Sequence, residues 1–217
     1  MYYSTPAMKT WTTEIKTHLA DREFLVSLGV SFFVLAISLF VNYYAGVYAT
    51  VHASSPVTDL ILSNIRVYDV DGIFIYGSIA MWVFFAFLMF RRPKEIPFTF
   101  KALSLFILIR ALFITLTHIG PFYPAVLIHS SFMNKFDPGA DLFFSGHTGL
   151  PFLFALIFWK KKSLRIFFLC ASIIFGAAVL MGHLHYSIDV LGAFFITYSI
   201  FHMAEFFFPK DRKRFYA

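Results

Sequence analysis

His185-Tyr186-Ser187-Ile188-Asp189 and Asp141-Leu142-Phe143-Phe144-Ser145-Gly146-His147-Thr148 are two polar islands in a mostly apolar chain. His185 and Asp189 are four apart, and on a helix such residues share a face with Cβ atoms ~5–6 Å apart. A carboxylate so placed accepts one imidazole N–H, fixes the tautomer and leaves the other ring nitrogen as nucleophile or base. The second island adds His147 behind a Ser-Gly pair at the expected start of a helix. Helix N-termini offer free N–H groups and partial positive charge to a phosphate oxygen, which makes Ser145 and Gly146 candidate phosphate contacts. Ser145 also reads as a plain N-cap. His147 beside them is placed to protonate a leaving oxygen and then to take a proton from an incoming hydroxyl. Two histidines and an aspartate on one membrane face are the parts of a phosphoryl-transfer site.

Other polar residues admit two readings each. Arg110 lies inside an apolar run, where it either snorkels to the headgroups or clamps a phosphate with its planar guanidinium. Asp59, Asp141, His183 and Tyr186 are possible headgroup contacts, while Asp59 and Asp141 also read as turn caps. His183, His185 and Asp189 could ligate a metal, but no cysteine or second carboxylate stands at ligand spacing. No metal and no cofactor is therefore expected. His52, His118 and His129 read as interfacial loop residues.

These groups need elements to hold them. The chain has 217 residues, 59% hydrophobic and 14% charged, against roughly 25% charged in soluble domains. Its mean hydropathy is +0.73, and one membrane domain is the natural reading. Cys170 is the single cysteine; it has no disulfide partner in the chain and is expected in the core. Residues 1–23 are polar and precede a long apolar run without the short core of a cleaved leader. They are expected as a cytoplasmic N-terminal segment, with an interfacial helix around Trp11 to Leu19. Six spans are expected, at about 24–48, 72–90, 98–117, 143–159, 166–182 and 187–208, followed by a basic tail at 209–217. The predicted fold is thus an all-α six-transmembrane-helix bundle, with residues 24–208 as the catalytic domain. Span four reaches only ~26 Å at 1.5 Å per residue, short for a ~30 Å hydrocarbon core, so its start is expected within the outer leaflet.

The charge distribution orients this bundle. Of the 18 lysines and arginines, all but Arg66, Arg110 and Lys135 fall on the side of the termini. Positive-inside bias then puts both termini in the cytoplasm. His147, His183, His185, Asp189, Asp141, Arg110 and Asp59 fall on the exoplasmic half. The net charge of +6 is accounted for by this bias and gives no ground for nucleic-acid binding. Ionisable residues gathered at one face, not crossing the midplane, argue against a channel or transporter.

The two islands resemble the type 2 phosphatidic acid phosphatase (PAP2) superfamily, and within it the sphingomyelin synthase-related branch. Asp141-Leu-Phe-Phe-Ser-Gly-His-Thr148 is similar to that branch's Asp-x-x-x-Ser-Gly-His-Thr. His183-Leu-His-Tyr-Ser-Ile-Asp-Val190 is similar to its His-x-His-Tyr-(Ser/Thr)-x-Asp-Val. Arg110-Ala-Leu-Phe-Ile-Thr-Leu-Thr117 resembles its arginine motif, and Pro56-Val-Thr-Asp59 stands where the branch has Pro-Leu-Pro-Asp. The resemblance runs over about residues 40–195. It implies a His-His-Asp triad on His147, His185 and Asp189, with His185 forming a phosphohistidine. The branch's Cys-Gly is Gly139-Ala140 here. The phosphatase branch's Ser-Arg is Ala178-Val179 here, which removes one phosphate-binding arginine.

That loss bears on substrate. A phosphomonoester carries about two negative charges near pH 7 and a diester one, while the exoplasmic half offers only Arg110, Arg66 and Lys135. Fewer cations suit a diester, including a zwitterionic headgroup whose ammonium meets carboxylates or aromatic rings. The expected activity is transfer of a phospho-headgroup from a glycerophospholipid to a lipid hydroxyl such as that of ceramide. Hydrolysis by the same triad is the alternative, and a non-catalytic membrane scaffold is a third. The expected partners are membrane lipids as donor and acceptor, and no nucleic acid.

Overall fold

The computed structural model describes residues 20–125 and 143–216, and the described residues form helices and loops with no strand. The segment before residue 20, and residues 126–142 with His129, Lys135 and Asp141, lie outside them. Helix α1 is Arg22–Val51. An i→i+5 turn over Gly72–Gly77 runs into α2, Ser78–Arg91. Then come α3 (Ile96–Leu116), α4 (Gly146–Ile157), α5 (Lys162–Met181), α6 (Ser187–Phe207) and α7 (Pro209–Tyr216).

Five helical stretches are long and apolar enough to cross a membrane: Arg22–Val51, Gly72–Arg91, Pro93–Leu116, Lys162–Met181 and Ser187–Phe207. The sixth expected span falls short. α4 has 12 residues, about 18 Å of helix, and most of its side chains are buried between neighbours. It is a core helix held by the others.

Small residues set the helix approaches, as expected where lipid supplies no drive to associate and close contact must do so. On α1 the buried positions Phe24, Ser31, Ser38 and Ala45 recur every seven residues, followed by Gly46 and Ala49. Ala45 and Ala49 meet Ala111 and Ile114 of α3. The rest of α1 exposes large apolar side chains such as Phe32, Phe33 and Phe40. A Cβ at Gly149 of α4 would stand 2.8 Å from the Phe106 ring of α3 and 2.9 Å from Thr197 Oγ1 of α6. Gly176 of α5 lies against Val190 and Thr148 in the same way, and Ser172 Oγ donates to the Thr148 carbonyl at 2.7 Å. Cys170, expected in the core, is exposed on α5, because its helix faces inward at Phe168, Ser172 and Phe175.

The polar contacts collect at two ends. At one, Lys101 Nζ reaches Asp211 Oδ2 at 2.6 Å and Ser27 Oγ at 2.8 Å, Arg214 meets Asp21 at 3.1 Å, and buried Glu95 pairs with both Lys161 and Arg92. Residues 209–216, expected as a tail, are the helix α7, which closes this end. Arg212 donates to the Ile157 carbonyl at 3.1 Å and to Glu205 at 2.9 Å, and its guanidinium lies against Phe98, Phe201, Phe215 and Tyr216. The other end gathers the loop 52–71, the segment 117–125, the turn 182–186 and the start of α4.

Candidate active site

The C-terminus of α5 builds the turn that carries His185. The Leu184 N–H donates to the Val179 carbonyl at 2.8 Å and the His183 N–H to the Leu180 carbonyl at 3.0 Å. These are the paired bonds of a Schellman motif, and His183 takes its left-handed position, usually glycine, with φ of 55°. The His183 ring is tied down by a 2.8 Å contact from Nδ1 to the Pro124 carbonyl and meets Phe122 edge to face. The turn reverses the chain, so that His185 precedes α6 instead of standing on it. The expected helical face shared by His185 and Asp189 is therefore not what joins them.

Asp189 lies in the first turn of α6, and its Oδ2 reaches back to accept the Tyr186 N–H at 2.9 Å. This is the reciprocal half of an N-terminal cap, and it leaves the carboxylate beside His185. His185 Nδ1 stands 3.5 Å from Asp189 Oδ2, in ion-pair range and longer than a good hydrogen bond. Both side chains are buried, and three buried atoms at this turn have no hydrogen-bond partner among the described residues: His183 Nε2, His185 Nδ1 and Asp189 Oδ1. Buried polar groups are nearly always satisfied, so three together mark a place arranged for something other than stability.

The start of α4 meets this turn directly. The Ser145 N–H donates to the Asp189 backbone carbonyl at 3.2 Å, while Ser145 Oγ caps α4 by accepting the Thr148 N–H at 3.3 Å. Arg110, buried in α3, donates from Nε to the Phe144 carbonyl at 2.9 Å. Its guanidinium passes over Gly146, where a Cβ would lie 3.4 Å from Nε. A cation, a helix N-terminus and the His185–Asp189 pair thus converge. His147, in the first turn of α4, packs on Phe74 with ring centroids 4.2 Å apart. Phe74 in turn belongs to a cluster with Val179 and Val190, which flank the His185 turn on either side.

The remaining expected headgroup contacts are bound within the protein. Asp59 Oδ1 accepts from Ile61 N–H at 2.8 Å and Leu62 N–H at 3.0 Å. Its Oδ2 accepts from Ser187 N–H at 2.7 Å and Ser187 Oγ at 2.8 Å. Burial pushes this carboxyl up, but the bonds from Leu62, Ser187 and Ile61 outweigh it and hold it below its ordinary value. Tyr186 donates its hydroxyl to the Gly120 carbonyl at 2.8 Å and accepts from Val57 N–H at 3.2 Å. Burial pushes its phenol up, and the neighbouring Asp189 and Asp59 add to this. Tyr186 is a strap between two loops. Asp141 lies outside the described residues.

Sequence reasoning missed Phe74, the ring against His147, because it is one of 31 phenylalanines and nothing local sets it apart. It also missed the carbonyls of Phe144, Pro124 and Gly120, which carry no side-chain signal. Among the described residues, no three His, Cys, Asp or Glu side chains are grouped to hold a metal ion.

Residues 139–206 match the family model described as PAP2 superfamily C-terminal. The match takes in both islands, α4, α5 and nearly all of α6, and leaves Arg110 and Asp59 outside it. No curated protein and no solved structure matches the chain. The match covers 68 of the 217 residues, and five described helices are long and apolar enough to cross a membrane.

Proposed function

We propose that the chain is a lipid phosphotransferase that moves a phospho-headgroup from a glycerophospholipid to a lipid hydroxyl, ceramide or similar, by way of a phosphohistidine. The observation that supports this reading is the 3.2 Å bond from Ser145 N–H to the Asp189 carbonyl, next to the bond from Arg110 Nε to the Phe144 carbonyl.

His185 presents Nδ1 to Asp189, so Nε2 is the attacking atom. Its lone pair forms the N–P bond as the P–O bond to the diacylglycerol breaks. His147 donates a proton to that leaving oxygen. Arg110, with the Ser145 hydroxyl and the Gly146 N–H, neutralises charge developing on the non-bridging oxygens. In the second half, His147 takes the proton of the acceptor hydroxyl, the new O–P bond forms and the N–P bond breaks, restoring neutral His185. Water as acceptor gives hydrolysis by the same steps, a second reading that the family match supports equally. By charge bias the six-span bundle, with α4 as its short member, has both termini in the cytoplasm and this site on the exoplasmic side.

The test is incubation of the purified protein with phospholipids labelled in the headgroup phosphate, with and without ceramide, and separation of the products. Label appearing in a sphingolipid only when ceramide is present supports transfer. Label released to water in both cases makes it a hydrolase. Wild-type turnover by His185→Ala would remove the nucleophile and the mechanism with it.

A further inference from the structure

We infer that Asp59 is a positioning residue: it holds the first turn of α6 so that Asp189 remains available to His185. The inference rests on the triad reading above and goes beyond it, because Asp59 touches neither histidine and lies outside the matched region.

The argument begins with the N–H groups that open α6. A helix leaves its first four N–H groups without internal partners, and α6 opens inside the protein. Two carboxylates share the donors here. Asp189 takes the Tyr186 N–H with Oδ2. Asp59 takes both the Ser187 N–H and the Ser187 hydroxyl with its own Oδ2. This division leaves Asp189 Oδ2 to the Tyr186 N–H and His185 Nδ1, and Oδ1 without a partner among the described residues, two residues from the Ser187 donors that would otherwise compete for the carboxylate. The anion at the α6 N-terminus, which the helix dipole favours, is thus supplied from the loop 52–71, 128 residues away.

Asp59 is itself fixed. Its Oδ1 accepts from Ile61 and Leu62, so it caps a turn of its own loop, and Leu62 packs against Tyr186. Tyr186 then ties the same loop at Val57 to Gly120. A Cβ at Gly120 would fall 2.0 Å from the Ser54 carbonyl oxygen, so these segments are pressed together. All four acceptor directions of the Asp59 carboxylate are in use within the protein.

Replacing the carboxylate by an amide, Asp59→Asn, turns one of these oxygens into a donor facing donors. The Ser187 N–H and hydroxyl, or the Ile61 and Leu62 N–H groups, then lose their acceptor. In the first case Asp189 is drawn toward Ser187 and away from His185.

The measurement is rapid-quench formation of the phosphoenzyme, stopped in alkali, using the full chain in lipid nanodiscs with short-chain phosphatidylcholine, phosphatidylethanolamine and phosphatidic acid as probes. Burst amplitude counts folded, competent sites; the rate constant reports their geometry. For Asp59→Asn we expect the rate constant to fall about tenfold or more, the effect of losing a bond to a charged group, with amplitude and KM unchanged. Ser187→Ala keeps the backbone donor and should slow the same step by a few-fold. The double variant should be no slower than Asp59→Asn alone. Loss confined to amplitude would mean a merely structural role, and a raised KM for the zwitterionic lipids at unchanged rate would make Asp59 a headgroup contact; either overturns the inference. If Asp59→Asn does not fold, Ser187→Ala decides, and a wild-type rate there overturns it. Should His185→Ala remain active, the triad reading fails. If that variant is dead while Asp59→Asn forms phosphoenzyme at the wild-type rate, only the role of Asp59 fails.

Discussion

Asp189→Asn separates chemistry from folding more cleanly than any other change at this site. Asparagine has the shape of aspartate, and the side chain is fully buried, so no new space must be found. Its amide has one acceptor and one donor end. The Tyr186 N–H, 2.9 Å from Oδ2, needs the acceptor; turning the NH2 toward it would leave two donors facing each other, at about 1–3 kcal/mol. His185 Nδ1 stands 3.5 Å from the same Oδ2, so the amide carbonyl keeps both contacts and the NH2 takes the Oδ1 position. The tautomer is preserved; what is lost is the negative charge beside an imidazole that becomes cationic as the N–P bond forms. A bond to a charged group is worth about 1.5–3 kcal/mol, or about 10–150-fold in rate. The stability cost is only the lost charge at a helix N-terminus, about 0.3–2 kcal/mol. Single-turnover headgroup release from a fluorescent short-chain phospholipid, read beside a melting curve in detergent, measures both. A folded variant at the wild-type rate would refute the charge argument and take Asp189 out of the triad.

Turnover should persist after exhaustive chelation, and loss that zinc or magnesium restores would return His183, His185 and Asp189 to the role of ligands. Asp59 has an ordinary value of 3.8, lowered in the folded protein, so its stabilisation is present above pH ~4 and is lost as pH falls through the lower folded value. The melting temperatures of wild type and Asp59→Asn should therefore differ at pH 7 and converge toward pH 3; a constant gap would contradict this. Gly149→Ala forces a Cβ to within 2.8 Å of Phe106 and should destabilise by about 1–3 kcal/mol, seen as a lower melting temperature, and an unchanged one would mean α3 and α4 are not closed as described.

What the sequence made legible is what repeats or clusters along it. Long apolar runs gave the five helices long enough to span, with ends within about five residues of those observed, since a ~30 Å core demands about 20 apolar residues wherever they occur. The basic residues were assigned to one end by counting alone, and the contacts of Lys101, Arg212 and Arg214 join that end. His147, His185 and Asp189 stood out because ionisable groups are costly in such surroundings. What could not be read was anything set by a distant partner. The Ser187–Asp59 bonds cross 128 residues, and neither residue alone shows a preference for the other. α4 was drawn too long because Phe158 and Trp159 are as apolar as the helix before them, yet the chain turns there. Residues 209–216 read as a solvated tail because five of the eight are charged; Asp211 and Arg212 are buried only because Lys101, Glu205 and an aromatic cage wait for them. His185 and Asp189 were grouped correctly but for the wrong geometric reason, since the helix begins two residues after the histidine.

The clasp formed by Ser27, Lys101 and Asp211 also dictates an order of assembly. Chains leave the ribosome from the N-terminus, so α1 and α3 are in the bilayer well before Asp211, 110 residues behind Lys101, has been made. During that interval the Lys101 ammonium has to stay in the headgroup layer or hold water around itself. The arrival of Asp211 is what lets it withdraw, and α1, bound chiefly through its small-residue stripe, is latched at its base only then. An early helix is in this sense provisional until nearly the last turn of the bundle is translated.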